Sequence, residues 1–385
     1  MPVANLGAQI EALEAATRQL SAEQQQLIRQ DTWGHPYLVR GVAGSGKSLV
    51  MAYHVAWAVL RHQRKNQQLT LFAADRHSMP RVAALCLNRS FIPLLERQIE
   101  DAYLELAGAP LPPGVVTINH LNGLFFELAR EHDFFHYIPA NRAREMGKLA
   151  GEYLAQLDAL SDSLLDRLRF DAMFIDEGQD LHPEIILLLH ALLRPDPTTT
   201  ERTLTIYYDD AQNIYGHQRP TWSHFGLNVE GGRAAFMRTC YRNSREVIEL
   251  GLNVLLGTAA DEKTRVQTRR YADIYTLKEK GLVEETPRGW RAYFAEPAGE
   301  LPQVRVFQNR AEQTEWLAAA LVNLTLEEQV RPEDILVLAR TGSAFPYLEE
   351  TVRQFSEGRI ALRSVGRQTP RPRWTSRCSC PVTSL

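Results

Sequence analysis

Apolar residues along the chain fall into two patterns, short unbroken runs and longer stretches in which they recur on one helical face. Unbroken runs appear in "LVR" before Gly41, in "VAALCL" at residues 82–87, in "VVTI", in "DAMFIDE" and in "TLTIYYDD". Each predicts a buried strand. Between them, residues 7–29 and 47–64, "FIPLLERQIEDAYLELAG", residues 121–168 and "PEIILLLHALL" carry helical periodicity. "PLPPG" breaks that pattern, as closely spaced prolines do. Strands that are apolar throughout, each followed by a helix, predict an α/β fold with a parallel sheet covered on both faces.

The pattern weakens over residues 258–300, which are polar and Gly-rich and read as a linker or domain boundary. It then resumes. "QVRVFQ" and "DILVLA" predict strands, and "AEQTEWLAAALVNLTL" and "AFPYLEETVRQF" predict helices, as at the start of a second α/β domain. From Gln368 on, "QTPRPRWTSRCSCPVTSL" has no acidic residue and no periodic apolar face. It reads as a natural tail or a shifted reading frame, and as disordered in either case.

Composition narrows the class. With 385 residues, 44% of them hydrophobic and 23% charged, the chain is long enough for two or three globular domains. A net charge of -3 argues against a uniformly basic nucleic-acid binder but leaves room for a local basic groove. The four cysteines are scattered or terminal, which suits a reducing compartment. Cys378 and Cys380 lack the partner ligands a metal needs. The N-terminus has no basic start and the longest apolar stretch is too short to span a bilayer, so a cytoplasmic protein without a membrane partner is expected.

Two motifs carry chemistry. Gly41-Val42-Ala43-Gly44-Ser45-Gly46-Lys47-Ser48 matches the phosphate-loop pattern between a predicted strand and a predicted helix. Backbone N–H groups freed by glycines can point at phosphate oxygens where a helix begins. Lys47 is placed to reach the β- and γ-phosphates, and Ser48 to ligate Mg²⁺. In "MFIDEGQD", Asp176 follows a strand and is placed to hold Mg²⁺. Glu177 is placed to orient and deprotonate an attacking water. The alternative is two carboxylates that start the next helix.

"DEGQD" resembles the D-E-x-Q-D box of superfamily I helicases of the UvrD/Rep type, and further pieces follow in family order over about residues 20–366. "LSAEQQQLI" resembles the Q motif, which implies adenine recognition by Gln24. "YDDAQNIYG" is similar to the D-x-x-Q-x-I-Y box and implies γ-phosphate coupling by Gln212. "TCYRNSREVIELGLNVL" resembles the N-Y-R-S box, with Tyr241 stacking on the base and Arg242 on the γ-phosphate. "ALCLNRSFIPLLERQI" and "VVTINHLNGL" resemble the two DNA-contacting motifs, implying Asn88 and His120 as DNA contacts. Without the resemblance, Asn88 reads equally well as a helix cap and His120 as a solvated or core histidine. Cys240 stands where the family often has Asn. His217 stands near the usual stacking Trp, for which Trp222 is either a substitute or a core residue. The T-x-H-x-x-K-G-L-E and V-A-x-T-R-A boxes do not occur after residue 340.

The resemblance implies a RecA-like ATP-binding domain over residues 1–257, with a helical subdomain inserted at 95–165. It further implies a partial second RecA-like domain at 301–366 and a tail at 367–385. The implied activity is an ATP- and Mg²⁺-dependent 3′–5′ helicase or translocase acting on single-stranded or tailed duplex DNA, truncated before its last motifs. Two other readings stay open: a P-loop ATPase with a regulatory or signalling role, and a non-catalytic ATP- or DNA-binding remnant. The incomplete second domain is expected to expose apolar surface.

Overall fold

The unbroken apolar runs pair side by side, all in parallel. The computed structural model describes residues 5–8, 20–70, 79–131, 143–208, 222, 227–256, 277–279, 281–295, 301–338 and 345–362. Strands β1 (Pro36–Gly41), β2 (Val82–Cys86), β3 (Val116–His120), β4 (Ala172–Ile175), β5 (Thr203–Tyr208) and β6 (Ala234–Met237) form one sheet in the order β3-β2-β4-β5-β1-β6. Every neighbouring pair is parallel. The fold is thus α/β, a six-stranded parallel sheet flanked by helices.

Side chains alternate across the sheet with the two-residue period of a strand. Leu38, Leu85, Met173, Ile175 and Ile206 enter one core, while Val39, Ala84, Phe174 and Tyr207 enter the other. The second core is closed by helices α1 (Ala22–Ile28), α2 (Lys47–Thr70) and α3 (Ile92–Ala107). α2 buries Val50, Met51, Ala52, Val55, Ala56 and Val59 almost all round, as a helix enclosed by its neighbours must. α3 presents Leu95, Ile99, Ala102 and Tyr103 inward and ends at Gly108, whose φ of 66° provides a left-handed cap. The first core is closed by α4 (Leu121–Glu131), α5 (Ala143–Leu157), α6 (Asp162–Leu168) and α7 (Pro183–Ala191).

Residues 20–302 make one compact unit. Two stretches within it differ from expectation. The described residues of 95–165, expected as an inserted helical subdomain, belong to the sheet layer: α3 covers one face, β3 is a strand, and α4 and α5 cover the other face. Their apolar faces match the two sheet faces, so burial there outweighs forming a separate core. Residues 258–300, expected as a linker, contain an antiparallel hairpin of β7 (Val283–Thr286) and β8 (Gly289–Ala292). The hairpin packs on α8 (Arg245–Leu256) through Leu282, Val283, Trp290 and Ala292. So short a two-residue alternation is easily hidden in polar sequence.

The second unit comprises residues 1–19 and 303–385. Its described part contains α9 (Arg310–Val322), a π-helical turn at Asn323–Glu327 and α10 (Phe345–Phe355), around a small core of Ala318, Leu321, Leu348, Val352 and Ile360. The expected strands at 303–308 and 334–339 are not strands among its described residues. A strand exists only with a ladder partner, and the described residues of this unit offer none. The two-residue alternation persists even so. Ile335 and Val337 pack on the small core, while Leu336 and Leu338 are 74% and 83% exposed. Val304 and Val306 are 72% and 93% exposed among the described residues.

Candidate nucleotide site

In a parallel sheet every strand ends on the same edge, and ligands gather at that edge. Each sequence-predicted site residue that can be placed lies there or against it. Gly41 ends β1, Asn88 follows β2, His120 ends β3, Asp176 follows β4, and Tyr241 and Arg242 follow β6. Gln212, His217 and the segment 367–385, with Cys378 and Cys380, lie outside the described residues.

The turn from β1 into α2 folds because its glycines take shapes other residues resist. Gly44 and Gly46 have φ of 75° and 87°, in the left-handed region that penalises a Cβ. Space forbids a side chain as well. A Cβ on Gly44 would lie 2.8 Å from Cys240 Sγ and 2.9 Å from Arg242 Cβ, and one on Gly46 would lie 2.4 Å from Gln24 Nε2. The result is a bare backbone cradle at the start of a helix, the shape a phosphate requires. Lys47 is buried and its Nζ curls back to donate to Gly41 O at 3.1 Å and Val42 O at 3.2 Å.

Ser48 Oγ donates to Asp176 Oδ2 at 2.6 Å, joining the helix after the cradle to the end of β4. Asp176 is 3% exposed, and its other oxygen accepts from Glu177 N at 3.0 Å. Burial, helped by the Glu177 charge, pushes its carboxyl up to about 6 against the opposing pull of Ser48 and Lys47. That is the signature of a buried negative charge with incomplete compensation. A serine hydroxyl and a carboxylate at this spacing are hard oxygen donors, and Mg²⁺ is commonly held by one or two such groups plus phosphate oxygens. The residues therefore fit Mg²⁺ and a polyphosphate.

Glu177 adopts φ 56°, ψ 43°, an uncommon conformation for a residue with a side chain. Gln179 is buried, and its Nε2 donates to Glu177 Oε2 at 2.6 Å, orienting the carboxylate. Gln179 stands in the quoted box, where the sequence motif alone names no role for it. Its signal was its spacing of two from Glu177.

The turn after β6 lies on the cradle. Tyr241 N donates to Gly44 O at 2.9 Å, and Cys240 N donates to Phe294 O at 2.7 Å. Cys240 is buried with Val42 of the cradle and Trp290 of the hairpin. Its sulfur accepts from Asn243 N at 3.4 Å, which is the use found for a cysteine at this position. The Tyr241 and Arg242 side chains are exposed. Gln24 is engaged within the fold: Nε2 donates to Ser45 O at 3.0 Å and Oε1 accepts from Ser21 N at 3.0 Å, completing a capping box on α1.

At the far end of the edge, Cys86 and His120 stand opposite each other in β2 and β3. Asn88 is exposed and does not cap α3, whose N-cap is Phe91; its carbonyl accepts from Phe91 N at 3.0 Å. His120 is half-buried, and Asn119 Oδ1 accepts from its Nδ1 at 3.1 Å, while Asn119 Nδ2 donates to Glu127. Burial first, and then the Arg89 charge, lower its basicity. Trp222 packs against the core and meets Tyr208 edge-on, with ring centroids 6.1 Å apart.

No protein-family model matches the chain, and no curated protein sequence matches it. Among solved structures it is similar to a Pif1 helicase described in DNA unwinding at forked double-stranded DNA, at 13% identity and a TM-score of 0.28 over 64% of this chain and 50% of that one. It is also similar to the Pif1 helicase from Candida albicans, at 13% identity and a TM-score of 0.27 over 79% of this chain and 54% of that one. The chain thus spans about half the length of both, at 50% and 54%.

Proposed function

We propose that the chain is an ATP-dependent DNA helicase or translocase of the UvrD/Rep type. The observation that carries the reading is the Ser48–Asp176 hydrogen bond beside a glycine-rich cradle, with the Tyr241–Arg242 turn bonded to that same cradle. Bound Mg–ATP supplies the phosphoanhydride and the cation that neutralises its oxygens. The chain's own residues do the rest. Backbone N–H groups of Gly44 to Ser48 hold the phosphates, with Lys47 released from its carbonyls to join them. Ser48 and Asp176 hold the cation. Glu177, oriented by Gln179, takes the proton of the attacking water. Arg242 meets the γ-phosphate with a fixed positive charge, Tyr241 stacks on the base, and Gln212 couples the γ-phosphate state to the rest of the chain. Gln24 reads the adenine after giving up its bond to Ser45. Asn88 and His120 contact single-stranded DNA, and the polarity implied by the resemblance is 3′ to 5′.

DNA-stimulated ATP hydrolysis tests the class. The parent is expected to hydrolyse ATP faster with single-stranded DNA, and Lys47→Ala to show no turnover. Glu177→Gln is expected to keep Mg–ATP binding and lose about 100-fold or more in turnover. Hydrolysis indifferent to DNA favours instead a regulatory P-loop ATPase, which shares Lys47, Asp176 and Glu177. The exposed Val304, Val306, Leu336 and Leu338 favour the other alternative, a remnant that binds without unwinding. Duplexes with a 3′ or a 5′ tail separate these: unwinding of the 3′-tailed duplex alone supports the proposed polarity.

A further inference from the structure

The turn that carries Arg242 is held from an unexpected direction. Glu23 lies in the first turn of α1. Arg238 N donates to its Oε1 at 2.9 Å and Thr239 N to its Oε2 at 3.4 Å. These two backbone groups leave the end of β6 just before the arginine turn, 215 positions along the chain from Glu23. An acidic residue in the first turn of a helix ordinarily complements the helix dipole. Here both carboxylate oxygens also accept backbone N–H groups from a distant segment, and charge-assisted bonds of this kind hold geometry more firmly than neutral ones.

The same helix touches the rest of the site. Gln24 donates to Ser45 O in the phosphate loop, and Leu27 O accepts from His54 Nε2 of α2 at 2.9 Å. His54 is buried, and its Nδ1 takes the Tyr207 hydroxyl of β5 at 2.6 Å. A helix of seven residues has little stability of its own. Tertiary bonds fix α1, and α1 in turn fixes what Glu23 holds. On the other side of the turn the restraints are Gly44 O, Phe294 O and the bond from Arg245 Nε to Ala295 O at 3.1 Å. Glu23 is thus the link that ties the outlet of β6 to the helix braced on the phosphate loop.

We infer that Glu23 is a positioning residue for Arg242: it sets the backbone from which the guanidinium meets the γ-phosphate. This rests on the reading of the site as an ATP site, and it assigns to α1 a task separate from adenine recognition by Gln24. The contacts Glu23 makes are to the Arg238 and Thr239 backbone, so it acts through the arginine turn. Its removal therefore affects the nucleotide that has a γ-phosphate and spares the one that lacks it.

The test is calorimetric titration of the full chain with Mg–ATPγS and with Mg–ADP, read as the ratio of the two dissociation constants. The variants are Glu23→Ala, Arg242→Ala and the double variant. The parent is expected to prefer ATPγS, and Arg242→Ala to reduce that preference about tenfold, a loss typical of one charge-assisted bond. Glu23→Ala is expected to reduce it by most of the same factor with ADP affinity unchanged, and to have no further effect on Arg242→Ala. Glu23→Gln keeps one acceptor oxygen but turns an amide towards the second N–H. It is expected to be intermediate, and it decides the matter if Glu23→Ala does not fold. The inference is overturned by an unchanged ratio in the Glu23 variants, by equal weakening of both nucleotides, or by a full additional loss in the double variant. A parent that binds neither nucleotide overturns the ATP-site reading, and the inference with it.

Discussion

Gly44 combines a backbone shape and a lack of space that together exclude any side chain. Its φ is 75°, and an added methyl group would meet Cys240 and Arg242 within 3 Å. Gly108 has a similar φ of 66° but open surroundings, with nothing within 4 Å of an added Cβ. Gly108→Ala is therefore expected to cost about 1 kcal/mol of stability and no nucleotide affinity. Gly44→Ala is expected to lose Mg–ATP binding at least about tenfold, because cradle and arginine turn must separate. Thermal melts and nucleotide titrations of the two variants check this. His54 offers a second residue-scale test. Its Nε2–H is committed to Leu27 O, and burial pushes its pKa down to about 4. Between pH 6.5 and 4 the unfolded chain takes up a proton that the native state refuses, so stability falls as pH drops through that window and is unaffected above it. The loss from this group is on the order of 2 kcal/mol at pH 5. His190, pushed down to about 4 by burial and by the Arg202 charge, acts in the same window. His54→Gln is thus expected to flatten, without abolishing, the fall in melting temperature between pH 7 and pH 5.

The hairpin β7–β8 shows how a minor element supports a major site. Asn253 of α8 accepts from Trp290 N at 2.9 Å and donates to Trp290 O at 3.2 Å, while Glu249 accepts from Ala292 N at 3.1 Å. These bonds satisfy the outer edge of β8, which would otherwise leave backbone groups unpaired. The apolar cluster beneath them joins Trp290 to Cys240 and to Val42 of the phosphate loop. Trp290→Ala is expected to cost about 3–5 kcal/mol locally. It is also expected to speed amide hydrogen exchange over residues 240–245 before it affects the central strands. Uniform acceleration across the sheet would count against a local brace. The helices at residues 95–165 teach the same lesson at element scale. Their amphipathic pattern was legible, but the surface they cover was not, since a helix face records only that something apolar lies opposite.

Across the whole molecule, burial separates what the fold needs from what it tolerates. Phe174 is fully buried between the sheet and the helices, and Val306 in the other unit is 93% exposed. Phe174→Ala is expected to cost about 3–5 kcal/mol, and Val306→Asp less than about 0.5 kcal/mol. Chemical denaturation of both variants measures the difference, and a large loss for Val306→Asp would mean that this residue is covered in solution. No helix among the described residues is long and apolar enough to cross a membrane. Elements whose signals are local were legible along the chain. Largely apolar runs marked the strands β1 to β5, and most clearly β2 and β4, which are buried throughout and hold no charged or hydroxyl side chain; β3, only half-buried, was marked by its apolar start alone. The spacing from Gly41 to Ser48 gave the cradle, since loop shape and helix start depend on adjacent residues. Which distant groups meet was fixed by the folded arrangement. It set Ser48 against Asp176, Gln179 against Glu177, and Glu23 against the outlet of β6. It also decided that residues 303–308 and 334–338 remain without strand partners among the described residues. The reason is the same in each case: periodicity is written along one segment, but a ladder or a long-range hydrogen bond needs a second segment, and no single stretch of sequence specifies its partner.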